Sequence, residues 1–575
     1  MRRRDDELLP VARIGVLVKI ETGGARLIRQ ADDAVTRGRI DPLARRFARE
    51  SGSCGGEGTH GGKEQGDEKT GDGVTHGEGE TVGSGRRLRR RAKPPRISRG
   101  PSDSGRHCPV DRGPAPSSVH PLTFRMSKKR IAFVGTGGRA LSFIEPVATT
   151  WRASNELVGL CDLSPARMGY YNGLLAGELG HPTVPAYPAA RFDDMIREQK
   201  PDTVFVCTTD ATHHDYIVRA LHAGCDVITE KPMTTDAAKC RAILDAVATT
   251  GKRVRVAFNY RWAPFRTKVK ELLVAGTIGR VRSVTLEYML DTNHGADYFR
   301  RWHAEAATSG TLLVHKSTHH FDLVNWWLDA IPAQVFAYGD LVFYGRANAE
   351  ARGDAALTKY PRYTGEPAAK DDPFRLDLDE SEPFRKLYRA GEADSGYIRD
   401  RNVFRDGIDI PDQMSLNVRY RTGELLTYSL VCFSPREGMR VSFNGDRGRI
   451  EYHEFIGTHM NRAVRPKDFK LDDKPGAEAE GEWIRVYPHF KPSYLVPVPV
   501  QAGAHGGADE ILNEAFFSPT PPATDPLGRF AGQEQGAASI LVGVAGVESM
   551  KRNQPVNLLD LVPLKPGATK LSELV

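Results

Sequence analysis

The segment Arg130 to Val134 is apolar and runs directly into a glycine-rich turn, whose residue types and spacing suit phosphate binding. Gly135 allows a sharp change of chain direction, Gly137 removes a side chain where backbone must approach phosphate, and Ala140 lets the next helix press on the strand. The first N–H groups of that helix can bind an anion. The sequence therefore predicts a pyrophosphate-binding turn formed by Gly135, Thr136, Gly137, Gly138, Arg139 and Ala140.

Asp162 ends the next apolar run, twenty-seven residues after Gly135. An acid at this point can accept both hydroxyls of an adenine-side ribose and would repel a 2′-phosphate, which favours NAD over NADP. Arg167 weakens that preference, so NADP stays open. Two alternatives remain: glycine turns also occur without a ligand, and Asp162 could simply cap the helix that begins near Pro165.

Lys231 is a candidate functional cation because of its place after an apolar run that ends at Thr229. Open α/β sheets bind their ligands beyond the carboxyl ends of their strands. Pro232 also restricts the backbone of Lys231 to extended conformations. The alternative is an ordinary surface lysine that follows a strand.

Three ionisable residues, His315, His319 and Asp322, share one face if residues 311–328 form a helix. Histidines four residues apart on a helix have good metal-ligand spacing, so a metal site is one interpretation. Histidines buried in the core or at an interface are another. The neighbouring side chains assigned to packing are His320, Trp326 and Trp327.

The elements that must position these residues begin at residue 126 and alternate strand and helix. Strands are predicted at 130–134, 156–161, 203–207, 226–229 and 253–258. Helices are predicted to begin near Arg139, Pro165, His213 and Asp236. This alternation predicts a doubly wound parallel sheet, a Rossmann domain over residues 126–258.

The pattern after Tyr260 changes to longer alternating strands. They are predicted at 281–290, 334–343, 414–420 and 424–433, with turns at Arg421-Thr422-Gly423 and Asn444-Gly445-Asp446. The sequence therefore predicts an α+β domain with a large, mostly antiparallel open sheet over 259–575. The long polar stretch 348–412 is predicted to be an insertion near the active site or at a subunit contact.

Residues 1–125 differ from the rest of the chain in composition. They carry 25 Lys and Arg against 17 Asp and Glu, whereas the remaining 450 residues carry 55 and 56. With 20 of the 57 glycines and little apolar periodicity, this leader is predicted to be disordered. A nucleic-acid or membrane tether at Arg86–Arg91 and a targeting peptide are weaker interpretations. We expect the natural protein to start at Met126, which an N-terminal peptide map can test.

Seven cysteines form an odd set without a Cys-x-x-Cys pair, and several lie inside predicted strands or helices. This pattern predicts buried thiols in a reducing cytoplasm. No apolar run approaches the length of a membrane span. We therefore expect a cytoplasmic protein with neither a membrane nor a nucleic-acid partner.

Four further segments complete a pattern with the glycine turn. In chain order they are Val204–His213, Glu230-Lys231-Pro232, Asn259-Tyr260-Arg261, and Ser309–Leu313 leading to His319–Asp322. This ordered combination resembles the Gfo/Idh/MocA oxidoreductases, the relatives of glucose-fructose oxidoreductase and inositol dehydrogenase. The likeness covers most of residues 128–560 and includes the segment His505–Asp509.

The resemblance implies a nicotinamide-dependent enzyme that acts on a sugar, polyol or related hydroxy compound. Oxidising a secondary alcohol requires a base for the hydroxyl proton and a cation or donor near the oxygen while hydride leaves. Lys231 suits the cation, and His319 occupies the family's general-base position, with an unperturbed imidazole pKa of about 6.5. The cofactor contacts implied beyond the turn and Asp162 are Thr208, His213, Glu230 and Lys231.

One position departs from the family, which usually has Asp four residues before His319, where this chain has His315. We expect His315 to replace that acid as a substrate hydrogen-bond partner or proton relay; Lys316 is left outside the predicted site. Trp302 and His303 stand where relatives often carry Trp-Arg near the substrate. The remaining predicted substrate contacts are Arg261, Tyr288 and Asp322, while His505 and Asp509 either line the pocket or belong to a loop packed on the sheet.

The working prediction is an NAD-dependent oxidoreductase, with NADP possible, that acts on a secondary hydroxyl of a sugar, polyol or cyclitol without a bound metal. By analogy with relatives we expect a homo-dimer or tetramer. One alternative is glycoside cleavage or epimerisation through transient oxidation of the sugar. Another is a non-catalytic NAD-binding sensor or assembly subunit.

Overall fold

The computed structural model describes residues 127–458, 481–499, 507–521 and 524–574. The predicted leader 1–125 and His505 lie outside these residues. Within them, the chain forms two sheets with helices packed against each.

The first sheet is parallel and doubly wound. Its strands are β1 Lys129–Val134, β2 Asn155–Asp162, β3 Ala186–Pro188, β4 Thr203–Val206, β5 Asp226–Thr229 and β6 Val254–Val256. Its helices are α1 Leu141–Ala148, α2 Pro165–Gly177, α3 Phe192–Gln199, α4 His213–His222 and α5 Ala237–Thr250. The strand order β3-β2-β1-β4-β5-β6 reverses direction of growth between β1 and β4, where doubly wound folds bind ligands. The predicted Rossmann domain is confirmed.

Burial explains why the sequence signal for this sheet is strong. The four residues Ile131 to Val134 of β1 are fully buried, because helices cover both faces of a parallel sheet. Gly135 then adopts a positive φ of 88°, and a Cβ atom there would lie 2.5 Å from the carbonyl carbon of Cys207. Only glycine therefore allows the turn after β1 to lie against the end of β4.

The second sheet is large and open. Its strands are β7 Val281–Asp291, β8 Pro332–Asp340, β9 Gln413–Tyr420, β10 Leu425–Ser434, β11 Arg436–Gly445, β12 Gly448–Thr458, β13 Glu482–Pro488, β14 Tyr494–Leu495 and β16 Val556–Asn557. The order is β14-β13-β12-β11-β7-β10-β9-β8-β16, and only β7 and β10 pair in parallel. The predicted mostly antiparallel sheet is confirmed. The short strand β15, Ala531–Gly532, instead pairs antiparallel with β6 at the edge of the first sheet.

The second half of the described chain has its own helices, several of which pack on the open sheet and carry the candidate site, whereas the one at 508–517 packs on α1 of the first domain. They are α6 Pro264–Val274, α7 Thr292–Arg300, α8 Ala306–Ser309, α9 Leu312–His315, α10 Thr318–Leu328, α11 Arg346–Ala351, α12 Glu382–Phe384, α13 Glu392–Ser395, α14 Ala508–Phe517, α15 Gln533–Arg552 and α16 Leu558–Leu561. Alternate residues of β9 are buried against them, as period-two strands require. No helix of the described residues is long and apolar enough to cross a membrane.

Residues 311–328 form two helices and not one. The N–H of Ser317 donates to the carbonyl oxygen of Leu312, five residues back, at 2.9 Å, and this wide turn separates α9 from α10. His315 therefore ends one helix, whereas His319 and Asp322 lie in the next. The hypothesis of one continuous helix face for all three is wrong for this reason.

The described cysteines agree in large part with their prediction. Cys161, Cys225, Cys240 and Cys432 are buried free thiols, and Cys207 is half-buried. Burial raises the pKa of Cys225 to about 11 and that of Cys161 to about 12, so both stay protonated and inert near neutral pH.

Candidate active site

Lys231 lies just beyond the carboxyl end of β5, at the edge of the first sheet. Its ammonium Nζ donates to the carbonyl oxygen of His315 at 3.2 Å, and its backbone N–H donates to Glu230 Oε2 at 2.9 Å. Burial lowers the pKa of Lys231 to about 8, although the carboxylates of Asp210 and Glu230 oppose that shift. A lysine with this pKa can both hold and release a proton near neutral pH.

His315 is paired with a carboxylate that comes from the first sheet. Its Nδ1 lies 2.6 Å from Asp210 Oδ2, and both side chains are buried. Burial and the nearby Lys231 ammonium hold the pKa of His315 well below its usual range, whereas burial raises the pKa of Asp210. An uncharged His315 that donates from Nδ1 to this carboxyl group keeps Nε2 as its proton-accepting nitrogen.

His319 and Lys316 meet at the phenol of Tyr260. The rings of Tyr260 and His319 stack with centroids 3.9 Å apart, and Lys316 Nζ donates to Tyr260 Oη at 3.4 Å. Lys316 also lies 4.7 Å from the centre of the Tyr288 ring. Lys316 directly follows His315, whose carbonyl oxygen binds Lys231. The turn between α9 and α10 therefore connects the residue that binds Lys231 to the residues that contact Tyr260.

An aromatic wall stands beside His315. Trp302 stacks on His303 with centroids 3.6 Å apart, and the His303 ring lies 4.0 Å from that of His315. Trp302 is partly exposed, whereas His303 is buried and its Nδ1 has no hydrogen-bond partner among the described residues. Burial, together with the charge of Arg301, lowers the pKa of His303 well below its usual range. The wall is therefore uncharged and suited to the face of a sugar ring.

Arg261 and Asp322, two predicted substrate contacts, bind each other in the core. Both side chains are 0 % exposed, and the guanidinium donates to the carboxylate through Nε at 2.8 Å and through Nη2 at 2.6 Å. Arg261 also donates to Gln535 Oε1 at 2.8 Å. The two side chains are therefore bound to each other and do not face a substrate site. The pair fixes α10, which carries His319, to the rest of the domain.

The side chains assigned to packing are buried. His320 Nδ1 lies 2.8 Å from Tyr428 Oη, and its ring stacks on Tyr288 at 4.3 Å. The indole N–H groups of Trp326 and Trp327 donate to backbone carbonyl oxygens at 2.6 and 2.9 Å. Tyr288 itself is 1 % exposed, so it underlies Lys316 and does not face solvent.

The metal interpretation finds no support within the described ranges. His315 faces Asp210, His319 stacks on Tyr260, and Asp322 binds Arg261. No group of three or more His, Cys, Asp or Glu side chains with metal-holding geometry is present in this part of the chain.

The glycine turn leaves room for a phosphate. Ala140 is fully buried, and a Cβ atom added to Gly137 would meet no atom within 4 Å. The N–H of Gly138 donates to the phenol oxygen of Tyr388 at 3.1 Å, so another polar oxygen could replace the phenol there. This cradle, open at Gly137 and contacted by Tyr388 at Gly138, lies at the switch point of the sheet, where such folds bind a dinucleotide pyrophosphate.

The carboxylate of Asp162 binds the glycine turn through Thr136. Its Oδ2 accepts from the N–H of Thr136 at 2.6 Å and from Thr136 Oγ1 at 3.0 Å, and its Oδ1 accepts from Ser164 N at 2.9 Å. Arg167 Nη1 lies 3.5 Å from Oδ1. Asp162 thus positions the glycine turn next to the start of α2, and its contact with a ribose stays a prediction.

The guanidinium of Arg139 forms ion pairs with two acids. Its Nε donates to Glu230 Oε1 at 2.7 Å, and its Nη1 donates to Asp509 Oδ2 at 2.8 Å. Asp509 also accepts from Asn259 Nδ2 at 2.8 Å. The sequence offered two interpretations of Asp509, and the structure places it in this network, which ties the glycine turn to the residue before Lys231.

Thr208 and His213 hold the loop after β4. The two ring nitrogens of His213 face the carbonyl oxygens of Pro232, at 2.8 Å, and Thr208, at 3.1 Å. Burial lowers the pKa of His213, so the ring is uncharged and donates to only one of them at a time. Thr208 Oγ1 accepts from Thr212 Oγ1 at 2.8 Å. His213 therefore ties this loop to the Lys231-Pro232 segment.

Sequence reasoning missed two members of this site. Asp210 lies inside the Val204–His213 motif, and a lone acid in a loop at a strand end is a usable signal for a functional residue. Lys316 has no counterpart in the family pattern, so the sequence prediction does not include it. Neither contact could be found from sequence, because each depends on how the two sheets are joined.

Comparison with known proteins agrees with this geometry. The family profile described as "Oxidoreductase family, NAD-binding Rossmann fold" matches residues 129–258, and the one described as "Oxidoreductase family, C-terminal alpha/beta domain" matches residues 270–558. The chain therefore belongs to the Gfo/Idh/MocA family of oxidoreductases, as the motif resemblance predicted. Its fold and family are those of an oxidoreductase with a Rossmann domain followed by an open-sheet domain.

Individual proteins of known sequence or structure are also similar to this chain. The oxidoreductase YteT of Bacillus subtilis (strain 168) is 38% identical over 454 residues, which cover 76% of this chain and 99% of the relative. Inositol 2-dehydrogenase of Rhizobium meliloti (strain 1021) is 30% identical, over 36% of this chain and 57% of the relative. An NADPH-dependent oxidoreductase of Desulfitobacterium hafniense DCB-2 has a similar crystal structure, with a TM-score of 0.50, 12% identity, and coverage of 76% and 99%. At that identity the last comparison shows the fold alone.

Proposed function

We propose that this protein is a nicotinamide-dependent dehydrogenase, with NAD as its coenzyme, that oxidises or reduces a secondary hydroxyl of a sugar, polyol or cyclitol. The observation that carries the proposal is the position of Lys231, a partly buried lysine just beyond the carboxyl end of β5. Its pKa is about 8. Family membership supports the reaction class, and the open cradle at Gly137 fits the coenzyme.

The polar groups around Lys231 suit alcohol oxidation. The Lys231 ammonium donates to the His315 carbonyl, and the Asp210 and Glu230 charges favour its protonated form. A substrate oxygen next to it would gain a charge-assisted hydrogen bond. That bond strengthens as the oxygen acquires alkoxide character. A bound nicotinamide ring would accept the hydride that leaves the carbinol carbon.

His319 is the proposed acceptor of the hydroxyl proton. Stacking on Tyr260 fixes the plane of its ring, and the Lys316 ammonium donates to the phenol of the same Tyr260. Trp302 supplies a partly exposed aromatic face beside His315, suited to the apolar face of a sugar ring. Arg261 and Asp322 act only by holding α10 in place.

The Asp210–His315 pair supports a second candidate function. Simple dehydrogenation needs one proton acceptor, and this pair provides another beside Lys231. Transient oxidation of a sugar, proton removal from an adjacent carbon, and return of the hydride would use both. Glycoside cleavage or epimerisation by that route consumes no net coenzyme.

A substrate screen tests both proposals. Purified protein is mixed with NAD and a panel of polyols, aldoses, inositols and glycosides, and the absorbance of reduced nicotinamide is followed beside product analysis. Reduction of NAD in proportion to substrate supports the dehydrogenase. Cleavage or epimerisation without net reduction supports the second candidate, and tight nucleotide binding with no conversion of any substrate contradicts both.

A further inference from the structure

The segment between β8 and β9, residues 341–412, reaches the nucleotide side of the first domain. We call it the β8–β9 segment. Its Tyr388 phenol accepts from the N–H of Gly138 at 3.1 Å, and the carbonyl oxygen of Leu387 accepts from Arg167 Nε at 3.3 Å. This segment, predicted as an insertion near the active site, thus forms an outer wall over the glycine turn and the start of α2.

Arg167 is held in place by the β8–β9 segment. Its Nη2 donates to Ser395 Oγ at 3.3 Å, and its guanidinium lies over the rings of Tyr388 and Tyr397, 6.0 and 5.7 Å from their centres. It also lies 3.5 Å from Asp162. An arginine at this point of a Rossmann domain can accommodate a 2′-phosphate. Here the N–H groups of the Arg167 guanidinium already face Asp162 and the β8–β9 segment.

Asp394, from α13 of the same segment, supplies a second carboxylate at this place. Its Oδ2 accepts from Ser164 Oγ at 2.7 Å and from the N–H of Ala166 at 3.3 Å. Ser164 is the N-cap of α2, a helix of thirteen residues, so the anion-binding end of that helix is filled by a side chain of the protein itself. Asp162 and Asp394 therefore flank the start of α2 with two negative charges.

We propose that Asp394 makes the coenzyme site selective for a nucleotide without a 2′-phosphate. The inference rests on the proposed nicotinamide dependence and adds the residue that decides between the two coenzymes. A 2′-phosphate brought to the end of β2 would meet the Asp162 and Asp394 carboxylates, while the Arg167 guanidinium stays bound to the β8–β9 segment. A ribose 2′-hydroxyl carries no charge and meets no such repulsion.

The test measures equilibrium binding and not turnover. Dissociation constants for NAD⁺ and NADP⁺ are determined by calorimetry for the wild type, Asp394→Asn, and the matched control Asp371→Asn, which removes an exposed charge elsewhere on the same segment. Asparagine keeps an oxygen that can accept from Ser164. We expect Asp394→Asn to tighten NADP⁺ binding about tenfold, as loss of one exposed like charge at close range predicts, with little change for NAD⁺.

A double variant checks the assigned cause. The gain in NADP⁺ affinity should also appear when Asp394→Asn is introduced into Arg167→Ala, because the gain comes from removal of a like charge, and Arg167 is bound to Asp162, Leu387 and Ser395 and not to Asp394. Melting temperatures of all variants confirm that they fold. An unchanged ratio of the two constants in Asp394→Asn, or a wild type that prefers NADP⁺, overturns the inference while nicotinamide dependence stands. Failure of the wild type to bind either nucleotide overturns the proposed function as well.

Discussion

Asp210 and His315 join the two halves of the protein at the candidate site. The acid follows β4 of the first sheet, the imidazole ends α9 of the second domain, and their Oδ2 and Nδ1 atoms lie 2.6 Å apart. The carbonyl oxygen of the same histidine accepts from Lys231. One residue therefore receives a side-chain contact and a backbone contact from two strand ends, which fixes the position of Lys231 relative to α9.

Asp210→Asn should move the pH dependence of activity. Lys231 is an ammonium below its pKa of about 8 and loses the proton above it, and Asp210 raises that pKa. Without the carboxylate, the Lys231 pKa falls, so the alkaline decline of kcat/KM should begin at lower pH. A pH profile of kcat/KM for both proteins measures this; an alkaline limb at the wild-type position would contradict it.

Lys231→Ala should lower kcat strongly without loss of the fold. General acid–base and charge-stabilising groups contribute about 10²- to 10⁴-fold, so we expect kcat to fall by that amount. Lys252→Ala removes a half-buried lysine away from the site and serves as the control. Steady-state kinetics and the melting temperature are measured together. Wild-type kcat in Lys231→Ala would exclude the assigned role.

Two glycines of the same turn should respond differently to alanine. A Cβ at Gly135 would lie 2.5 Å from Cys207 and the residue has a φ of 88°, so Gly135→Ala should lower the melting temperature. Gly137→Ala meets no atom within 4 Å, so it should keep the wild-type melting temperature and lose nucleotide affinity. Thermal unfolding and nucleotide titration separate the effects. Unaltered binding by Gly137→Ala would mean that nothing approaches this turn.

Asp322→Asn should destabilise the protein because it leaves Arg261 charged and buried without its partner. Breaking a fully buried ion pair costs about 3–5 kcal/mol. Denaturant unfolding gives the free energy of unfolding of this variant, of Arg261→Met, and of the double variant Arg261→Met/Asp322→Leu, which should recover much of the loss. A stable Asp322→Asn protein with a raised KM would instead restore Asp322 to the substrate site.

The sequence predicted the first sheet well because its strands are buried runs whose ends are marked by glycine or polar residues. The sequence prediction lacks strand β3, since only one of the three residues of Ala186–Pro188 is buried, and it lacks helix α3 as well. The sequence of the β8–β9 segment is polar and lacks apolar periodicity. Its backbone is satisfied by side chains, for example Asn402, which donates to the carbonyl oxygens of Leu357 and Tyr360 at 2.7 and 2.8 Å. Periodicity cannot reveal such a core.

The candidate site was predicted in part for a similar reason. Lys231 and the glycine turn are local features, positioned by a strand and the loop after it. The pairing of Asp210 with His315, and the mutual binding of Arg261 and Asp322 over 61 residues, arise only when distant elements pack. Residue type alone could not show which buried charges bind each other and which face a substrate.

Transfer of isotope from substrate to coenzyme tests the central claim most directly. A substrate found in the screen is labelled with deuterium at the carbinol carbon and converted by the wild type with NAD, and reduced nicotinamide is analysed by NMR. The account predicts deuterium at C4 of the nicotinamide ring, and its absence in a parallel reaction with Lys231→Ala. Product formed with the label retained in the substrate carbon or released to water would contradict it.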